Sequence, residues 1–232
     1  MHAELRSRVL AANVAIVQAG LVTLTFGNAS GVDRAAGVMA IKPSGVPYEE
    51  LEAEQIVLLD LASGDILEGG LRPSSDAPTH LLLYRELPGL GGIVHTHSPF
   101  ATAWAQAGRE LPCLGTTHAD HFAGPVPVTR PLSADEIRGA YEERTGDVIV
   151  EAIREQGLDP LAVPGALVLQ HGPFTWGADV ETAVENAIAL EAIAALAYRT
   201  FALRPDQAQL DAVLHQRHFT RKHGPTRYYG QP

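Results

Sequence analysis

The stretch IVLLDLASGDILEGG, residues 56–70, sets two short apolar runs on either side of Ser63-Gly64-Asp65. A turn that tight brings its flanking runs together as antiparallel neighbours, because a parallel return needs a crossover of about a dozen residues or more. The same grammar appears just upstream. LVTLTFGNASGVD, residues 21–33, reads as a strand that breaks at Gly27 and runs into a turn, with GVMAIKPSG, residues 37–45, as its partner. The first third of the chain is therefore committed to hairpins. Helical periodicity surrounds them: Leu5, Val9, Ala12, Ile16 and Ala19 share one face of a helix that stops at Gly20. THLLLYREL carries another apolar stripe, with Ser74, Ser75 or Asp76 available to cap it and Pro78 in its first turn.

Downstream, GGIVHTH reads as a strand and PFATAWAQAG as a helix ended by Gly108. SADEIRGAYEERTGDVIVEAIREQG opens on a capping Ser133 and holds one or two helices, and GALVLQHG is a further apolar strand. DVETAVENAIALEAIAALAYRTFAL is a long helix with an acidic cap, and the tail HQRHFTRKHGPTRYYGQP is basic and aromatic, unlike anything before it. With no repeat or linker, residues 1–232 read as one α/β domain: a central mixed, mainly antiparallel sheet flanked by helices.

Composition narrows the partners. A chain of 232 residues that is 46% apolar and 19% charged can bury a full core. A net charge of -10 argues against nucleic acid or an anionic membrane as partner, so an anionic substrate would need its own local pocket. The single cysteine, Cys113, forbids an intrachain disulfide and suits a reducing compartment. Neither a signal-peptide pattern nor an apolar run of about 20 residues is present, and a cytoplasmic location is expected.

Histidines carry the clearest chemistry. In an extended strand residues two apart face the same way, so His95 and His97 present both imidazoles to one point. That pair is equally a metal half-site or a solvated polar strand end. A metal site would need more donors, and His171, at the end of GALVLQH, and Asp76, behind PSS, stand at suitable places. His118 and His121 also lie close in sequence, so histidine density alone does not select ligands.

Eight ordered blocks decide between these readings: GNASGVD, IKPSGV, PSSDAPTHLLLY, GGIVHTHS, ATAWAQAG, GTTHADHF, HGPFTWG and RKHGPTRYYGQ. Together they resemble the class II, metal-dependent sugar-phosphate aldolase/epimerase family, and within it the L-ribulose-5-phosphate 4-epimerases, over nearly the whole chain. The resemblance implies a three-layer α/β/α fold. It implies one divalent ion per subunit, zinc first with manganese or cobalt as alternatives, on Asp76, His95, His97 and His171. It places the phosphate and sugar on Gly27, Asn28, Ser44, Gly45, Ser74 and Ser75, beside Lys42. Asp120 and Tyr229 correspond to an acid/base pair, with His218 in support. Members are homotetramers with active sites between subunits, so the tail, from about residue 215 onward, is expected to complete a neighbour's site. His121 departs from the pattern, which has an aromatic residue, usually Tyr, after Asp120.

The implied reaction interconverts L-ribulose 5-phosphate and D-xylulose 5-phosphate, as in L-arabinose breakdown. The inverted carbon carries no acidic proton but lies β to the ketone, so cleavage and re-formation of the neighbouring C–C bond can invert it. A metal stabilises the enediolate charge, and acid/base groups on opposite faces exchange the hydroxyl proton. Nearby Arg221, Lys222 and Arg227 would help Tyr229 ionise. Aldolases of the family usually carry Glu where this chain has Asp76, which points to the epimerase pattern. Alternatives are an epimerase for a related pentulose phosphate, an aldolase releasing dihydroxyacetone phosphate, and a non-catalytic scaffold of the adducin type.

Overall fold

The computed structural model describes residues 2–223 and 227–228. Seven strands form one sheet: β1 (Asn28–Asp33), β2 (Val38–Ile41), β3 (Val57–Asp60), β4 (Ile66–Glu68), β5 (Gly92–His95), β6 (Gly165–Leu167) and β7 (Pro173–Gly177). Their order is β4-β3-β2-β1-β5-β7-β6. Every pairing between these strands is antiparallel. The expected mixed character shrinks to one isolated parallel bridge, Val128 to Leu167.

The helices are α1 (Ala3–Gln18), α2 (Ala77–Glu86), α3 (Pro99–Gln106), α4 (Thr116–Ala119), α5 (Ala134–Arg138), α6 (Tyr141–Glu155), α7 (Val180–Leu203) and α8 (Ala212–His223). Alternation along the strands sorts them into layers. Met39 and Ile41 of β2, Val57 and Leu59 of β3, and Ile93 of β5 join Leu81, Leu83 and Tyr84 of α2 and Ile149 and Ile153 of α6 in one core. The intervening Val94 of β5 packs on the opposite face with Ile16 of α1 and Val184 and Ala187 of α7. The sheet is thus covered on both sides, which is why its central strands read as unbroken apolar runs.

Two sequence expectations change. Residues 21–26 are not a strand: Leu24 has φ 55° and stands exposed, and the strand begins after Gly27, in NASGVD. Those small residues look turn-like in isolation, but a β-carbon on Gly31 would lie 3.1 Å from Val9 and 3.3 Å from Leu5, so α1 packs directly onto the strand. The second change is β7, which begins at Pro173, just past the apolar strand read in GALVLQHG. Its proline stands at the first strand position, where little of the hydrogen-bond ladder is lost.

Other local rules hold. Ser133 accepts from the Glu136 amide and Glu136 returns the bond to Ser133, capping α5. Asp179 accepts from the Thr182 amide at 2.7 Å and caps α7. Among the described residues no helix is long and apolar enough to cross a membrane.

Candidate metal centre

β1 starts, β5 ends and β7 starts at the same edge of the sheet, because each runs antiparallel to its neighbour. His95 closes β5, His97 follows it, and His171 lies in the turn before β7. Their ring nitrogens gather within 4.8 Å of one another. His95 is buried, and its Nδ1–H donates to the Pro173 carbonyl at 3.0 Å. That bond fixes the tautomer and turns a bare Nε2 toward His97 Nε2, 3.2 Å away. Tyr141 Oη lies 3.4 Å from His171 Nδ1, so His171 also presents Nε2 to the cluster. Burial first, then the neighbouring imidazoles, holds the His171 pKa down to about 4. Burial and His95 likewise lower that of His97. The rings of His97 and His171 are thereby held toward the neutral form, the one that binds a metal.

Asp76 occupies the N-cap position of α2 but makes no side-chain cap. Its carboxylate accepts from Asn28 Nδ2 at 2.7 Å instead and lines the same cavity as the three imidazoles. Burial pushes its pKa up, yet His95, His80 and the Asn28 amide outweigh burial and hold it below the usual carboxylate range. Neutral imidazoles that converge beside an ionised carboxylate are a donor set that fits a divalent cation. The tightest group comprises the imidazoles alone, with Asp76 beside it.

The cavity measures about 400 Å³, and Gly27, Asn28, Lys42, Ser44, Gly45, Ser74 and Ser75 all line it. Gly27 has φ 95°, and a β-carbon there would sit 2.6 Å from the His95 carbonyl oxygen, so the strand entry closes onto His95 only with glycine. Lys42 is 2% exposed; its ammonium donates to Val46 O at 2.6 Å and lies 4.6 Å from the Tyr48 ring centre. No carboxylate pairs with it among the described residues, and burial lowers its pKa. A buried cation beside serine and glycine turns is an arrangement that suits an anion.

Residues 7–198 match the model of the Class II Aldolase and Adducin N-terminal domain. The chain belongs to this family. Solved structures agree on the class II aldolase fold. An L-fuculose 1-phosphate aldolase superposes with a TM-score of 0.77 at 22% identity, over 93% of this chain and 94% of that one. The L-fuculose-1-phosphate aldolase of Thermus thermophilus gives 0.69 at 24% identity, over 88% and 99%. YgbL from Klebsiella pneumoniae gives 0.69 at 25% identity, over 92% and 97%.

In this member of the family the residue expected as an acid/base group lies elsewhere. Asp120, at the end of α4, does not line the metal cavity. The tail folds into α8, which packs on α4 and brings His218 Nδ1 to 3.1 Å from Asp120 Oδ1. Arg221, expected beside Tyr229, takes Asp120 as a fork at 3.0 and 2.7 Å. Burial pushes the Asp120 carboxyl up, but Arg221 and His218 hold it below its usual range. At His121 burial, then Lys222, lowers the imidazole. Tyr229 lies outside the described residues.

Phe26, Tyr141 and Glu142 line the cavity without having carried a sequence signal. Phe26 sits half exposed at the mouth, its ring centre 6.0 Å from that of His97. Tyr141 and Glu142 enter from the start of α6. No motif marks them; only the packing of α6 on α2 brings them in, and Thr79 Oγ1 donating to the Glu142 carbonyl ties those helices together.

Proposed function

We propose that this chain is a metal-dependent epimerase interconverting L-ribulose 5-phosphate and D-xylulose 5-phosphate. The observation that carries the reading is one cavity holding both a His95/His97/His171/Asp76 donor set and an anion cradle around Lys42. A divalent ion held there, zinc first, would supply Lewis-acid stabilisation of the negative charge that develops on the sugar oxygens.

The chain's own residues do the rest. Ser44, Gly45, Ser74 and Ser75 with Lys42 hold the phosphate and fix the sugar's direction in the cavity. Asp120 takes the hydroxyl proton at the inverting carbon as the C–C bond opens, and Tyr229 returns a proton on the other face once the aldehyde has rotated and the bond re-forms. Arg221 and His218 keep Asp120 ionised, the state a base needs. Asp120 lies away from the cavity of its own chain, which supports a homotetramer whose sites form between subunits, with α8 and the tail serving the neighbour.

The same cavity would serve an aldolase, and the L-fuculose 1-phosphate aldolases among the structural neighbours favour that as the second reading. Asp76 argues for epimerisation: a short carboxylate already bonded to Asn28 suits a ligand better than a mobile base. Incubation of the zinc- or manganese-loaded protein with L-ribulose 5-phosphate, followed by NMR, should show D-xylulose 5-phosphate. Unchanged substrate would sink the proposal, and release of free dihydroxyacetone phosphate from a ketose 1-phosphate would establish the aldolase instead.

A further inference from the structure

Behind the cavity, α2 and β1 face each other through a buried polar ladder. Asp76, His80 and Tyr84 stand one helical turn apart on α2, and Asn28 and Ser30 stand on one face of β1. Asn28 Nδ2 bonds Asp76 Oδ2 at 2.7 Å and Ser74 Oγ at 3.1 Å. Ser30 Oγ meets His80 Nδ1 at 2.7 Å and Tyr84 Oη at 2.9 Å, and Tyr84 Oη also donates to the Ser30 carbonyl at 3.1 Å. His80 is 0% exposed. Two buried atoms on adjacent rungs have no protein partner: His80 Nε2 and Asn28 Oδ1.

Proton bookkeeping links them. Asn28 must aim its amide nitrogen at the Asp76 carboxylate, which only accepts, so its Oδ1 is left needing a donor. Tyr84 has one hydrogen, which it shares between the hydroxyl and carbonyl oxygens of Ser30. Ser30 can then donate to His80 Nδ1, which places the imidazole hydrogen on Nε2. In a helix the side chain leans back over the preceding turn, toward Asp76. The carboxylate's charge favours a proton on the ring nitrogen nearer to it. Burial keeps the ring neutral, with its pKa lowered to about 3.

We propose that His80 is a positioning residue of the metal pocket. Its Nε2–H completes the Asn28–Asp76 rung through one buried water and so fixes the carboxylate that the ion takes. The inference rests on the metal reading above. It gives the orphaned atoms partners and makes the buried ladder a brace for one ligand, as hydrogen-bonded supports are in metal sites generally.

Two measurements test it. On the unaltered, metal-free protein, nitrogen-15 NMR of His80 should show the Nε2–H tautomer; the Nδ1–H tautomer would overturn the proposal without reference to any metal. Zinc affinity, read by competition with a chromophoric chelator, should then fall about 10- to 100-fold in His80→Asn, which keeps an amide at the Nδ1 position alone. His80→Gln, whose amide nitrogen stands near the Nε2 position, should recover most of that loss. A role in packing alone predicts no such split. His80→Asn binding zinc within about twofold of the unaltered protein would refute the positioning role. Unaltered protein that takes up no zinc overturns the metal reading, while the tautomer still decides where His80 holds its proton. If His80→Asn does not fold, the tautomer and His80→Gln decide.

Discussion

The metal cavity and the Asp120 cluster are both built from imidazoles and a carboxylate, but they are held in opposite ways. In the cavity the carboxylate of Asp76 faces imidazoles and a neutral amide, with no Arg or Lys ion-paired to it among the described residues. Around Asp120 a guanidinium grips both oxygens, and His218 adds to it. The first arrangement keeps its negative charge available for a cation that arrives from outside. The second already pairs its charge with Arg221 and His218, which holds the carboxylate ionised and fixed in direction. The frameworks differ too: strand ends carry the cavity histidines, whereas Asp120 depends on α8 docking against the single turn of α4.

This contrast breaks most sharply at His97. His97→Ala should abolish metal binding and turnover together, which metal analysis and an activity assay on one sample would reveal. Retained metal with lost activity would mean that His97 belongs to the proton-transfer side. Next in size, Asp120→Asn should lower kcat by about 10²- to 10⁴-fold while leaving metal content unchanged. Loss of metal in that variant would merge the two regions into one.

Smaller again, Lys42→Met should raise KM for the sugar phosphate by about tenfold or more, as expected when a charge-assisted bond is lost, with metal content intact. Isothermal titration with inorganic phosphate would show whether the change is in anion binding.

The mildest probe compares one buried histidine from each region. Burial lowers the pKa of His118 from 6.5 to about 4 and that of His80 from 6.5 to about 3. Both rings are neutral when folded and take up protons more readily when unfolded. Their contribution to stability is therefore complete above pH 6.5 and is lost as the pH falls toward 4 and then 3, at about 1.4 kcal/mol per pH unit for each ring. Thermal melts from pH 7 downward should show Tm falling, and NMR titration should find His118 protonating before His80. Flat melts down to pH 4 would contradict this.

Much of the cavity was legible because it is written as short motifs at element ends. His95 and His97 follow from spacing, and all of the anion-cradle residues read from turns and the resemblance do line one cavity. Tyr141 was not legible, because nothing local says that the start of α6 points at a strand end 30 residues downstream. β1 escaped for a related reason: Asn, Ala, Ser and Gly are weak strand formers, and they extend here because helix packing wants small residues. Arg221 was read as a helper for Tyr229, and only the docked α8 shows it committed to Asp120. Long-range packing, unlike a turn, leaves no periodic trace in the chain.

At the far edge of the sheet from the cavity, β-carbons on Gly91 and Gly92 would fall on the backbone of residues 178–180, so β5 is clasped there against the start of α7. His95 lies three residues further along the same strand, roughly 10 Å away at the usual rise per residue. The clasp therefore works as a datum. The ligand's depth is measured from the opposite side of the sheet, not from the loops around it, and those loops can diverge to suit new substrates without moving the point where the ion would sit.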